Sequence, residues 1–489
     1  MDQARRTSTK ILVSFKPCFA IARCLSNQIK PRSSQQVVLQ FSVTSVRAQA
    51  LRPYSWVYLI CLGTAIYAQM GDIDVPIECF ILQMTNSSQH QPQDDPMRSV
   101  HTTNFPQILT QLGISLVVST YQAGKLIVLR ADGKHINTHF RVFQKPMGLA
   151  ADRGRIAIGT ANQVCELRNV PAVAQKLEPI GKHDACYLPR NSHITGDIDI
   201  HEMAWAEQEL WFINTRFSCL CTLDFDHSFV PRWRPDFISA LSPEDRCHLN
   251  GLGMVNNYPK YVTALGTTDS RGGWRENKAY GGVLMDVETN QVIVRGLSMP
   301  HSPRWYQNRL WVLESGNGSL ATVDLASGKC ETATQLPGFT RGIDFWGPLA
   351  FIGLSQVRET AVFSGIPLTE RLEERICGVW VVNIETGQTV AFLQFEEAVQ
   401  EIFAVQVLPG IRFPEIIDWD EQLIATSYVL PDAALADVPD GQKQLITETR
   451  TSQPQVKSDI TQLSNSPFPK KSGKPKRKKH GFGISSTKP

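Results

Sequence analysis

Two stretches decide the fold. One is His201-Glu202-Met203-Ala204-Trp205 followed by Leu210-Trp211-Phe212-Ile213; the other is His301-Ser302-Pro303-Arg304-Trp305 followed by Leu310-Trp311-Val312-Leu313. Each is a polar residue opening a strand of alternating apolar side chains, then a gap, then a second apolar strand about ten residues after the first. Further copies lie at Lys145-Pro146-Met147-Gly148-Leu149, Asn250-Gly251-Leu252-Gly253-Met254 and Arg341-Gly342-Ile343-Asp344-Phe345, with a weaker one at Glu401-Ile402-Phe403-Ala404-Val405. Successive copies are 40 to 60 residues apart, the range of one four-stranded propeller blade plus its loops.

A third strand follows in two copies, Leu320-Ala321-Thr322-Val323-Asp324-Leu325 before Ser327-Gly328 and Val379-Trp380-Val381-Val382-Asn383-Ile384 before Thr386-Gly387. Both end in hairpin-type turns. Ahead of the first full unit stand segments matching strands two, three and four: Leu116–Thr120, Leu126–Leu129 and His139–Phe143. A blade without its inner strand therefore sits at the N-terminal end, and an inner strand without partners sits near residue 401. Joined, they close the ring and leave no open sheet edge. The expected fold is all-β, a six-bladed β-propeller over residues 106–425, with seven blades as the alternative count. Residues 1–105 are expected to form an N-terminal extension and 426–489 a disordered tail with a basic cluster.

Composition agrees with this reading. The 489 residues include 33 Gly, 29 Pro and only 19% charged side chains, which excludes a coiled coil or a charged disordered chain. The net charge of +3 is unevenly spread: residues 1–83 carry nine basic and four acidic side chains, and residues 470–489 carry eight basic and no acidic ones. The body between them is acidic, so no specific nucleic-acid surface is expected. Its seven cysteines, from Cys165 to Cys377, are odd in number and irregularly spaced. Neither a disulfide framework nor a zinc pattern follows from them, and Cys219 and Cys221 read as two small same-face strand residues.

The ends differ from the body. No acidic residue stands between Asp2 and Asp72, and the apolar run Trp56–Ala68 is 13 residues long. That run is short for a membrane span and late for a signal peptide. A targeting segment, or a start at Met84 or Met97, is the expectation for residues 1–83. A cytoplasmic location is expected, with export left open by the apolar run. The seven cations within Lys470–Lys479 suit loose contact with an anionic surface or partner, or simply a solvated tail.

Inner strands line a propeller's channel, so the first position of the repeat is where a ligand would be met. Its occupants are Lys145, His201, Asn250, His301, Arg341 and Glu401; none is apolar. The neighbouring segments add Arg190, His193, His248 and Arg304, and Thr267–Glu276 adds two guanidiniums and Trp274. Convergent Arg, Lys and His in an acidic body point to a small anionic or polar ligand at the channel mouth. His201 and His301 are also the candidates for acid–base service in a lyase or hydrolase. His201, His248 and His301 with Glu202 or Asp199 form a weaker metal alternative, since their spacing is irregular and nearby cations would repel the ion. No metal site is therefore assigned, and the residues leave the cofactor unknown. A Gly-x-Ser-x-Gly elbow, a phosphate-binding loop and a dinucleotide fingerprint are all missing from the body. A protein-interaction scaffold is the third reading, by analogy with the fold alone.

The stretches His193–Glu202, His248–Leu252, Met299–Trp305, Leu336–Gly342 and Gly353–Glu359 resemble a family of bacterial conserved hypothetical proteins. The resemblance covers residues of about 105–425, and its motifs coincide with the ring positions above. It implies a shared site and no known activity. It also implies an Asp where this chain has Ala404, so any acid role at that position is missing here.

Overall fold

The repeats become antiparallel meanders because each strand's apolar face can be buried only against the next blade. In the computed structural model, which describes residues 67–70, 73–76, 96–357, 364–417 and 424–439, they form six blades. Blade two is typical, with strands Ile200–Ala206, Glu209–Asn214, Cys219–Thr222 and Val230–Trp233 paired in that order. Blade one starts at Leu149–Ala151, blade three at Leu249–Val255, blade four at Pro300–Tyr306 and blade five at Phe339–Trp346. The six-blade count holds and the seven-blade alternative does not.

Ring closure follows the sequence reading. Inner strand Ala404–Pro409 pairs with Ile114–Thr120, Ala404 opposite Ser119, and Lys125–Asp132 and His135–Val142 complete blade six. Two small strands lie outside the repeat pattern. Ser99–His101 adds a fifth strand to blade five, ahead of the boundary expected at residue 106. Pro414–Ile416 runs parallel to Ala185–Tyr187 on the outer edge of blade one. The chain thus fastens once onto blade five, before blade six, and once onto blade one, after it.

Buried apolar clusters fill each gap between blades. Between blades one and two, for example, Ile200, Met203 and Phe212 meet Ala157 and Val164. Helix Phe105–Leu112 buries Phe105, Ile108 and Leu109 against blades five and six, and Gly113, at φ 65°, ends it. Cys219 and Cys221 are buried neighbours with sulfurs 3.4 Å apart, and all seven cysteines of the body are free thiols.

Inner strands approach closely on the channel axis, and glycine makes this feasible. A Cβ on Gly251 would fall 2.4 Å from Pro303 Cδ of the next blade. Gly342, at φ +75°, would place one 2.7 Å from both Ala404 Cα and Val405 N. Gly342→Ala combines a left-handed backbone with a backbone clash, so it is expected to cost about 2–3 kcal/mol. Urea denaturation reads this directly, and an unchanged midpoint would mean that blades five and six separate freely.

The hairpin Tyr67–Met70 with Ile73–Pro76 belongs to a separate unit, Met1–His90. Residues 1–66 lie outside the described residues, with most of the Trp56–Ala68 run and the proposed targeting segment. So does the Lys470–Lys479 cluster. Part of the expected disordered tail is described: residues 424–439 include a short helix, Asp432–Leu435. No helix among the described residues is long and apolar enough to cross a membrane.

Candidate functional site

A cavity of about 210 Å³ opens at the channel mouth. Its polar lining comes from Tyr121, Lys145, Asp199, the imidazoles of His201, His248 and His301, and the guanidiniums of Arg275 and Arg341. Met147, Trp274, Met299, Phe339 and Phe403 are among its apolar walls. Five of the ten residues expected at the mouth therefore meet there: Lys145, His201, His248, His301 and Arg341.

His201 and His301 sit at equivalent places in blades two and four, each the second residue of its inner strand. His201 Nδ1 lies 3.1 Å from the Asp199 carbonyl oxygen and 2.8 Å from Thr215 Oγ1. A carbonyl oxygen only accepts, so Nδ1 carries the proton. Thr215 gives its own proton to the Leu249 carbonyl oxygen, 2.6 Å away, and is left as an acceptor toward the imidazole. His301 repeats this, with Nδ1 3.0 Å from Met299 O and 2.9 Å from Ser315 Oγ, which donates to Thr340 O. Both rings are thus fixed with a bare Nε2. That of His201 is buried without a hydrogen-bond partner.

The ring planes of His201 and His301 are nearly parallel, 16° apart, with centroids 6.5 Å apart. Burial, reinforced by the Arg341 charge, holds both pKa values well below the ordinary 6.5, so both imidazoles are neutral at pH 7. His248 meets His201 edge to face at 4.9 Å and donates from Nδ1 to Asp245, 2.9 Å away. Asp245 also accepts from Trp274 Nε1 at 2.9 Å.

Charge in the cavity is asymmetric. Lys145 pairs with Asp199 at 2.9 Å. Burial alone would raise the Asp199 pKa, but the Lys145 charge and its hydrogen bond help bring it below its ordinary value. Arg341 has no such partner: its guanidinium lies 3.7 Å from the centre of the Phe403 ring and 6.0 Å from that of Tyr121, and it makes no ion pair or hydrogen bond among the described residues. Burial lowers its pKa, and the nearby Tyr121 and Glu401 oppose that shift. Lys145, Asp199, His248 and Met299 all have positive φ, between 45° and 55°. Such non-glycine conformations are costly and cluster at working sites.

The other five expected residues lie elsewhere. Arg190 and His193 belong to Ala185–Ile194, the outer strand of blade one, rather than to a mouth loop; Arg190 donates to Ser427 O and His193 contacts Ser228 O. Their polar run Pro189–His193 reads as a loop because an outermost strand faces water and lacks an apolar stripe. Asn250 is buried with its Oδ1 accepting from Thr263, and His248 takes the mouth position in that blade. Arg304 pairs with Glu202 at 2.8 Å across blades. Glu401 stands behind Tyr121, while Phe403 fronts the cavity.

Tyr121 and the orienting hydroxyls are missing from the expected set, and Asp199 figured there only in the metal alternative. A sequence signal for the hydroxyls exists: Thr215 and Ser315 each follow their histidine by 14 residues, at the end of strand two. No three His, Cys, Asp or Glu side chains among the described residues converge as metal ligands.

The neutral histidines give stability a defined pH dependence. Their folded pKa values lie below the unfolded value, so the unfolded chain binds more protons as pH falls under 6.5. The associated stability is complete above pH 6.5 and is lost below it, by about 1.4 kcal/mol per pH unit for each ring. His183, also depressed by burial, adds to the slope. Denaturation midpoints should fall steeply between pH 7 and 5.5 and flatten in His201→Gln/His301→Gln. Equal slopes would mean that both imidazoles are protonated in the fold.

Comparison with known proteins adds the lineage. No curated protein matches the chain. Among solved structures, a chain from a nidogen/laminin complex is 8% identical, with TM-score 0.41, covering 61% of this chain and 99% of that one. A protein of unknown function from Bacteroides caccae is 11% identical, with TM-score 0.38, over 60% and 98%. A catalytically inactive virginiamycin B lyase from Staphylococcus aureus, solved with quinupristin, is 10% identical, with TM-score 0.32, over 61% and 100%. The domain of unknown function DUF4915 matches residues 103–417, which takes in all six blades, and the chain belongs to that family.

Proposed function

We propose that this propeller binds a small anionic ligand in the channel-mouth cavity, with Arg341 as its counter-charge. One observation carries the reading. Arg341 presents a half-buried guanidinium to the cavity with no ion pair among the described residues, and a charge partly withdrawn from water without a partner favours a ligand that supplies one. The planar fork suits a carboxylate or phosphate held by two hydrogen bonds. Phe403 supports the guanidinium from 3.7 Å through a cation–π contact, and the apolar walls lower the local dielectric and strengthen the pairing.

Thermal unfolding with acetate, propionate, phosphate and sulfate tests this. At a ligand concentration 100-fold above Kd the wild-type chain should gain about 2.7 kcal/mol, and Arg341→Met should lose the response. A wild-type chain indifferent to every anion, or an equal response in Arg341→Met, would sink the reading.

A further inference from the structure

We propose that the cavity's ligand class is a small hydroxycarboxylate: its carboxylate pairs with Arg341 and its hydroxyl groups donate to Nε2 of His201 and His301. This rests on the anion reading and narrows it. Both imidazoles spend their single proton on protein acceptors, the carbonyls of Asp199 and Met299 and the hydroxyls of Thr215 and Ser315. Those hydroxyls are themselves committed as donors to Leu249 O and Thr340 O, so neither ring has room to flip its tautomer. What each cavity-lining ring has left to offer is the lone pair on Nε2. His201 is 3% exposed and its Nε2 has no partner; a buried acceptor left unmatched costs free energy, so a ligand that brings a donor is selected over one that does not.

The arrangement is duplicated in two blades, with parallel rings 6.5 Å apart, so one ligand can meet both acceptors. Arg341 stands between the same walls. The cavity of 210 Å³ equals roughly seven waters' share of liquid volume, the size of a short hydroxy acid. A primary ammonium would also donate to Nε2, but Lys145, Arg275 and Arg341 all face the cavity and Asp199 is already engaged by Lys145. The hydroxyl is the donor that carries no charge penalty. The depressed basicity of both rings favours hydrogen-bond acceptance over proton abstraction, for which a pKa near the working pH is required.

Calorimetric titration of the full chain at pH 7.5 with propionate, glycerate and alanine separates the alternatives. Glycerate is expected to bind at least tenfold more tightly than propionate, and alanine more weakly than either. His301→Phe keeps a ring in place and removes one acceptor; it should erase most of the glycerate advantage over propionate measured in the same variant. The three-ligand comparison on the wild-type chain needs no variant, so a poorly folded His301→Phe does not remove the test. Equal affinities for propionate and glycerate would overturn the hydroxyl assignment and leave anion binding intact. Tighter binding of alanine would overturn it in favour of an ammonium group; no response to any of the three would overturn the hydroxycarboxylate assignment, and the anion reading would fall with it only if phosphate and sulfate are silent too.

Discussion

Glu415→Ala is expected to lower stability by about 3–5 kcal/mol, a fall of roughly 6–10 °C in melting temperature for a domain of this size. Glu415 sits in Pro414–Ile416, the short strand that fastens the chain's last turn to blade one. Its carboxylate is met by Arg141 at 2.6 Å, His139 at 2.7 Å, Arg130 at 3.2 Å and His183 at 3.4 Å. Burial would raise its pKa, but the His139 hydrogen bond and these cations bring it below the ordinary carboxylate value. Arg130 and Arg141 also donate to the Pro414 and Ile416 carbonyls, and Arg130 stacks on Phe413 at 4.0 Å. Removing the one carboxylate leaves two guanidiniums with no counter-charge at a closed seam. That is the expensive way to break a buried pair, whereas replacing both sides is cheap. Glu415→Leu combined with Arg130→Met should therefore recover part of the loss, a coupling that a double-mutant cycle measures. A Glu415→Ala change within 1 kcal/mol of wild type would show that pairing between Ala404–Pro409 and Ile114–Thr120 closes the ring unaided.

Much of the ring, though not this clasp, can be read in the chain. Inner strands announce themselves because they are buried on both faces and repeat as Met203/Trp205, Pro303/Trp305 and Ile343/Phe345. Glu415 and its cations are scattered over nearly 300 residues and gain meaning only when the ends meet. The cavity was legible where the inner strand itself points a residue inward, as at His201, His301 and Arg341. It was misread where a residue beside the repeat position, and not the one at it, lines the cavity. In blade three the turn residue His248, at φ 51°, takes the place the repeat gives to Asn250, and in blade six Phe403 displaces Glu401. Both offsets are of two residues, which keeps a side chain on the same face but moves it along the channel, and nothing in periodicity alone marks where this occurs. Tyr121 and Asp199 come from loops, whose course is set by neighbouring blades rather than by local pattern.

Arg341→Met should make the unliganded chain more stable by about 1–3 kcal/mol while abolishing its response to anions. In the free protein the guanidinium bears a desolvation cost that lowers its pKa, and no carboxylate among the described residues is within ion-pair distance to offset it. Stacking on Phe403 returns part of that cost, which is why the expected gain is modest. Methionine keeps a flexible apolar stem against Phe403 and Met147 and carries no charge to solvate. The neighbouring groups should respond as well: without the Arg341 charge, the His201 and His301 pKa values rise toward 6.5, and the stability lost between pH 6.5 and 5.5 becomes smaller. A residue kept for packing or for the blade five to six contact would behave oppositely, since its removal would destabilise the chain at every pH. Chemical denaturation of the two proteins without ligand, at pH 7.5 and at 5.5, therefore distinguishes a binding residue from a structural one. Stability sacrificed at one position in exchange for affinity is the signature of a site built for a partner; a loss of 1 kcal/mol or more at pH 7.5 would show that Arg341 serves the fold instead.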